Sequence, residues 1–292
     1  MKNKRNNNHP KSWLLATLVV LLAVLFIFSR GERASRRAIM PVQPQVETLQ
    51  TTQITETLED MEPQTPEVTE PITLELLLGK VDPASNPLFV PVESRFANRS
   101  GMFMHKEAYE AFKEMHAAAA SDGVNLVIVS AMRTFNHQRR IWNDKWNGRQ
   151  MLEGNINATS IADPVERARE ILRFSAMPGT SRHHWGTDID LNSLVNSYFE
   201  SGQGKRVHDW LQQNAPSFGF CQPYTAHGNN RQGGYEEEKW HWSYMPVSKK
   251  YLLAFKESVE YEHITGFDGW ETASQIGVIE RYVLDVNEDC KN

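Results

Sequence analysis

Between Lys106 and Ala120 apolar side chains return every three or four positions. Ala108, Tyr109, Phe112, Met115 and Ala119 share one face, which predicts an amphipathic helix ended by Gly123. Val124 to Val129 is rich in β-branched residues and predicts a buried strand, which the chain leaves at Ser130 to Arg133. A helical pattern follows over Asn136 to Trp146. Asp163-Pro164-Val165-Glu166 then combines a capping residue, proline at the first helical position and glutamate three residues after the cap, so a helix should run from there to about Phe174.

Met177-Pro178-Gly179-Thr180 breaks the chain before a short strand over Thr187 to Leu191. Val207 to Gln213 reads as a helix. Lys239 to Tyr244 alternates Trp240, Trp242 and Tyr244 with His241 and Ser243, a strand with one aromatic face. Residues 248 to 288 read as mostly helical, interrupted around Gly266 to Gly269. Helices and short strands do not alternate regularly, which favours α+β over a doubly wound sheet.

The first 80 residues have a different character. Met1 to Lys11 is a short basic tail. Trp13 to Phe28 is an almost unbroken apolar run, framed by Ser12 and Ser29, and spans roughly 24 Å as a helix. A cleaved signal peptide has a similar shape, but Ser29-Arg30-Gly31-Glu32-Arg33 offers no small-x-small cleavage site, so residues 12–29 read as a transmembrane signal anchor. Basic residues flank it on both sides, and the positive-inside rule barely discriminates its orientation. Residues 30–80 follow as an acidic Thr/Pro/Glu-rich stalk. From Glu47 to Glu75 there are eight acids and no bases, a composition that disfavours a packed core.

The chain has 292 residues and a net charge of -5, which speaks against a nucleic-acid partner. Its two cysteines, Cys221 and Cys290, exclude a cysteine-rich zinc module; they could form a disulfide or remain thiols. Nothing in the sequence sets an oligomeric state.

Candidate chemistry is concentrated in two segments, Ser181-Arg182-His183-His184-Trp185-Gly186-Thr187-Asp188-Ile189-Asp190 and Glu238-Lys239-Trp240-His241. Catalytic zinc takes three ligands from histidine and carboxylate and leaves a position for water, whose proton a nearby carboxylate removes. Either segment alone also fits a packed aromatic patch or a structural histidine. Together they supply two histidines, an aspartate and a separate glutamate.

The pattern Ser-x-His-x-x-Gly-x-x-x-Asp, followed about fifty residues later by Glu-x-x-His, resembles the VanY-type D-alanyl-D-alanine carboxypeptidase family of zinc peptidases. Ser130-Ala131-Met132-Arg133-Thr134-Phe135-Asn136-His137-Gln138 is similar to that family's Ser-Gly-Tyr-Arg-Ser-x-x-x-Gln, and Glu238 to Tyr244 to its Glu-x-Trp-His-x-x-Tyr. The resemblance covers roughly residues 85 to 250. It implies a Hedgehog/DD-peptidase-like fold, a small antiparallel sheet flanked by helices. It also implies Zn2+ held by His183, Asp190 and His241, with Glu238 as general base. Arg133 would bind substrate and the oxyanion, and Ser130, Gln138 and Ser181 would make substrate hydrogen bonds. Only His183, not His184, has the family's seven-residue separation from Asp190. Asp188 departs from the family, which usually has a small residue there; on a strand it would share a side with Asp190 and could orient a ligand or bond a turn. His227 reads as a loop residue.

The implied activity is D,D-carboxypeptidase action on peptidoglycan stem peptides. An L,D-carboxypeptidase or endopeptidase on the same polymer is an alternative, and a non-catalytic wall-binding module a more distant one. The expected organisation is a tail (1–11), an anchor (12–29) holding the membrane through residues 13–28, a stalk (30–80), a peptidase domain (81–250) and a helical C-terminal extension packed on it (251–292). The catalytic head is expected outside the cytoplasm.

Overall fold

The computed structural model describes residues 71–291 apart from residue 229. The apolar run at 13–28 and most of the stalk lie outside the described residues. Among the described residues no helix is long and apolar enough to cross a membrane.

The order of elements is α1 (Leu74–Leu77), β1 (Phe89–Pro91), β2 (Phe103–His105), α2 (Lys106–Ser121), β3 (Ile128–Ser130), α3 (Phe135–Trp146), α4 (Pro164–Leu172), β4 (Asp188–Leu191), α5 (Gly202–Asn214), β5 (Phe220–Cys221), β6 (His241–Tyr244), α6 (Met245–Ser258) and α7 (Thr272–Ile276). Strands β1 and β2 form an antiparallel pair. The main sheet is antiparallel in the order β3-β4-β6-β5.

Local chemistry explains several boundaries. The Thr134 hydroxyl accepts from His137 N–H and starts α3. The Asp163 carboxylate accepts from Val165 and Glu166 N–H and starts α4, with Pro164 at its first position. The α2 face is the expected one, with Ala108, Tyr109, Phe112, Met115 and Ala119 all buried. Helix α5 is longer than the sequence pattern predicts, starting at Gly202, and its first turn packs so closely on the Tyr198 backbone that a side chain at Gly204 has no room. Strand β3 is shorter, covering only the end of the Val124 to Val129 run.

The sheet has two unlike faces. Ile128, Ile189, Leu191, Phe220 and Trp242 pack against α2 and α5 in one apolar layer. The other face carries Asp188, Asp190, His241 and Ser243. A second apolar layer joins α1, α3, α4, α6 and α7. Two expected boundaries move as a result. Leu76, Leu77 and Leu78 are buried in that second layer, so the acidic stretch yields to ordered structure before residue 80. Helix α6 runs through position 250, and the C-terminal segment shares the core of the preceding residues. Cys221 and Cys290 are joined as a disulfide that ties β5 to this segment.

Candidate active site

Sheet register brings the distant motifs together. Asp190 stands opposite Ser130 on β3 and opposite His241 on β6, so one rung carries a residue from each of three segments. Directly opposite residues of an antiparallel pair lie on one face, and so do residues two apart. Asp188 and its opposite number Ser243 therefore point the same way as Asp190 and His241. His183 arrives from a 3-10 turn, Arg182–Trp185, closed by Gly186 at φ +68°. A side chain at Gly186 would meet the Phe89 ring and the His105 backbone at under 3 Å.

Donor atoms of His183, Asp190 and His241 all lie within 4.8 Å of one another, and all three residues are buried. Hydrogen bonds orient both rings. His183 Nδ1 donates to the Ala131 carbonyl at 2.8 Å, and His241 Nε2 donates to Asp188 Oδ1 at 2.9 Å. This leaves His183 Nε2 with a lone pair facing Asp190 Oδ1 at 3.3 Å; His241 Nδ1 lies 3.5 Å from the same oxygen and, while protonated, donates to Glu238 Oε2, a proton that a bound cation would displace. His183 Nε2 and Asp190 Oδ1 are buried without a hydrogen-bond partner; their mutual approach lacks hydrogen-bond geometry. Buried polar atoms left unpaired are costly, and these two, with His241 Nδ1 converging on the same point, fit a cation. Two imidazoles and a carboxylate are the donor set that suits Zn2+.

Asp188 proves to be the carboxylate behind a ligand. It accepts from His241 Nε2, from Arg182 Nε at 3.0 Å, from the Thr187 hydroxyl at 2.6 Å and from the Ser243 hydroxyl at 3.0 Å. Burial alone would raise its pKa, but Arg182 and His241 outweigh that and hold it far below the ordinary aspartate value. Asp190 is held at about 2; burial opposes ionisation, and His183 and His241 overcome it. Burial lowers the proton affinity of His241, yet its bonds to Asp188 and Glu238 raise its pKa to about 9 in the metal-free protein.

Glu238 lies in the loop before β6, where strand alternation does not apply. Its N–H donates to the Tyr224 carbonyl, and its Oε2 sits 3.0 Å from His241 Nδ1. Burial raises its pKa despite His241 nearby. Arg133 Nη2 stands 3.6 Å from Asp190 Oδ2, and Arg133 Nε is buried with no partner. Gln138 is fully buried; its Oε1 accepts from Arg133 Nη1 at 3.1 Å and its Nε2 donates to the Ala176 carbonyl at 2.8 Å. It sits behind Arg133 and braces it. Ser181 starts the His183 turn and lines the site, while Ser130 is buried on the central rung.

His184 turns away from the cluster. Its Nδ1 donates to the Arg133 carbonyl at 2.6 Å, and its Nε2 accepts from Gly179 N–H at 3.0 Å. His227 bonds the Tyr235 carbonyl in a loop. Sequence reasoning passed over Arg182, Thr187 and Ser243. The Asp-x-Asp spacing on β4 was the signal that something must meet Asp188.

Two spaces meet at Arg133, Phe174 and Glu238. One is a recess of about 30 Å³ between Ser181, His183, Tyr224, Tyr235 and His241. The other is a cleft of about 490 Å³ that runs outward past Lys145, Ser175 and Leu152 on one side and Leu194, Val195 and Asn196 on the other.

A buried two-histidine, one-aspartate cluster with a glutamate beside it, at the junction of a cleft and a recess, defines the metal-dependent peptidase class. The family model for D-alanyl-D-alanine carboxypeptidase (VanY) matches residues 101–247, half of the chain, and the chain belongs to that family. A D-alanyl-D-alanine carboxypeptidase of Enterococcus faecalis is 29% identical over 136 residues, covering 46% of this chain and 46% of the relative. The putative carboxypeptidase YodJ of Bacillus subtilis is 29% identical over 182 residues, covering 60% and 57%. The chain thus spans about half the length of the curated relatives it matches. Among solved structures, a mutant of the vancomycin-resistance D,D-pentapeptidase VanY in complex with Zn(II) overlaps 62% of this chain and 93% of its own at 22% identity and TM-score 0.40. The L,D-carboxypeptidase LdcB overlaps 68% and 81% at 20% identity and TM-score 0.44.

Proposed function

We propose that this chain is a zinc-dependent D,D-carboxypeptidase that removes a terminal D-alanine from peptidoglycan stem peptides. The observation that carries this reading is the convergence of His183 Nε2, Asp190 Oδ1 and His241 Nδ1 beside the buried carboxylate of Glu238. Zinc held there supplies Lewis acidity and lowers the pKa of water towards ~7. Glu238 takes the proton of the attacking water and passes it to the departing amine; burial raises its proton affinity, which suits a base working near neutral pH. Arg133 offers its unpartnered Nε–H and its Nη2 to the negative charge that grows on the carbonyl oxygen, and Gln138 keeps the guanidinium in place. The recess at His183 and His241 marks the inner end of the substrate path, where the terminal residue would lie, and the wide cleft would take the body of the peptide. The apolar run at 13–28 would anchor the protein in the membrane, with the head outside the cytoplasm.

The test is to incubate the full-length protein with a peptide ending in D-Ala-D-Ala, before and after chelation and after zinc is restored. Release of single D-alanine, lost with chelator and regained with zinc, is expected. Release of a dipeptide or an internal fragment, or cleavage of a single D-alanine from an L-residue in preference to the D,D bond, would replace the D,D-carboxypeptidase assignment. No chelator-sensitive cleavage of any of these bonds would remove the enzymatic reading.

A further inference from the structure

Lys145 stands on the last turn of α3, half-buried in the wall of the cleft. Its Nζ donates to the Ser175 hydroxyl at 2.5 Å. Ser175 is itself buried. No carboxylate lies within ion-pair distance of Lys145 among the described residues. The carboxylates on that wall turn to a different cation: Arg173 pairs with Glu170 at 2.8 Å, with Glu153 at 3.0 Å and with Glu236 at 3.5 Å. An ammonium held away from bulk water without a counter-charge is costly, and the cost is relieved by an anion that enters with the ligand. Burial lowers the Lys145 pKa, and Glu238, beyond ion-pair distance, offsets that only in part.

We propose that Lys145, steered by Ser175, is a specificity residue that receives a side-chain carboxylate of the peptide lying in the wide cleft. This rests on the peptidase reading. Lys145 does not line the recess, where the terminal residue and its carboxylate go; it lies on the side of Glu238 that takes the body of the chain. The favoured substrates are stem peptides whose diamino acid carries its own carboxylate, over those in which that group is absent or amidated.

Two D-Ala-D-Ala peptides that differ only in having this side-chain carboxylate free or as its amide provide the probe. The full-length protein should cleave the acid with a kcat/KM at least about tenfold higher, chiefly through KM. In Lys145→Met the ratio should fall to within about twofold, and in Lys145→Glu it should invert. Binding of both peptides to the Glu238→Gln protein reads the subsite without turnover. A tenfold binding preference that needs Lys145, with no cleavage of either peptide, would keep the subsite and reject the peptidase reading. Equal binding and equal cleavage of acid and amide would overturn the subsite while leaving the peptidase reading intact. So would a Lys145 dependence that disappears when the terminal carboxylate is amidated, since Lys145 would then be reading the terminus. Circular dichroism melting of each variant separates misfolding from loss of recognition; if Lys145→Met unfolds, the inversion in Lys145→Glu and the wild-type preference still decide.

Discussion

Asp188 and Asp190 lie two residues apart on the same face of β4, equally buried, yet their surroundings are opposites. Around Asp188 both oxygens are occupied, by a guanidinium, an imidazole and two hydroxyls. Around Asp190 one oxygen faces two imidazole nitrogens and makes no hydrogen bond. A fully satisfied carboxylate holds other groups in place; an oxygen left unsatisfied, facing an imidazole nitrogen that is unsatisfied too, is a place where something binds. His105 shows that a lone orphan is not enough. Its Nδ1 is also unpartnered, but the ring is wedged edge-on between Phe89 and Tyr251, with nothing converging on it.

The sharpest way to break this contrast lies beside Asp190. Glu238→Gln should keep zinc and lose ~10²–10⁴-fold in kcat. Metal content by atomic absorption alongside turnover checks both halves, and full activity would dismiss the base assignment. On the satisfied side, Asp188→Asn should weaken zinc binding by ~10–100-fold, because His241 loses the partner that sets its tautomer. It also leaves Arg182 buried without its counter-charge, so a fall in melting temperature should accompany it. Unchanged zinc affinity in a competition titration would mean that Asp188 is structural only.

Gly79→Ala probes the bracing behind the cluster. Gly79 has φ +70°, and a Cβ there would sit 2.3 Å from His184 Nδ1. A loss of roughly 1–3 kcal/mol in urea unfolding is expected. A neutral result would show that the His184 brace is slack.

The effect that is absent at neutral pH and grows only with acid concerns His105. Burial lowers its pKa from 6.5 to about 4, so it is neutral in the folded protein down to that pH. Between pH 6.5 and about 4 the unfolded chain binds more protons than the folded one, and stability falls as pH falls. The slope from this group is about 1.4 kcal/mol per pH unit. His105→Phe should flatten the acid side of the stability curve by that amount, read as urea midpoints at several pH values. An unchanged slope would show that the ring is hydrated.

The helices with strong local signals were legible from the sequence: α2 from its apolar stripe, α3 from its pattern over Asn136 to Trp146, and α4 from Asp163 and Pro164 at its start; the Thr134 cap of α3 emerged only in the structure. What the linear pattern does not hold is register. That Ser130, Asp190 and His241 share a rung depends on pairing between segments far apart in the chain, and only the family resemblance pointed to it. The role of Arg182 was hidden for the same reason, since its partners Asp188 and Ser243 come from two different strands. Order was expected to begin between Leu74 and Pro91, and it begins at the near end of that range because Leu76, Leu77 and Leu78 are buried by contacts with α6 and the turn that presents His183, which no local composition reveals.

That ordered start also bears on the turn that presents His183. The Gly79 carbonyl accepts from Phe135 N–H, and Gly79 lies directly against His184, one residue from His183. Helix α1 packs on the same turn, so residues 74–79 and 182–185 form one packing unit. A change in α1 is therefore felt at the position of His183 through the His184 ring, without passing through the sheet.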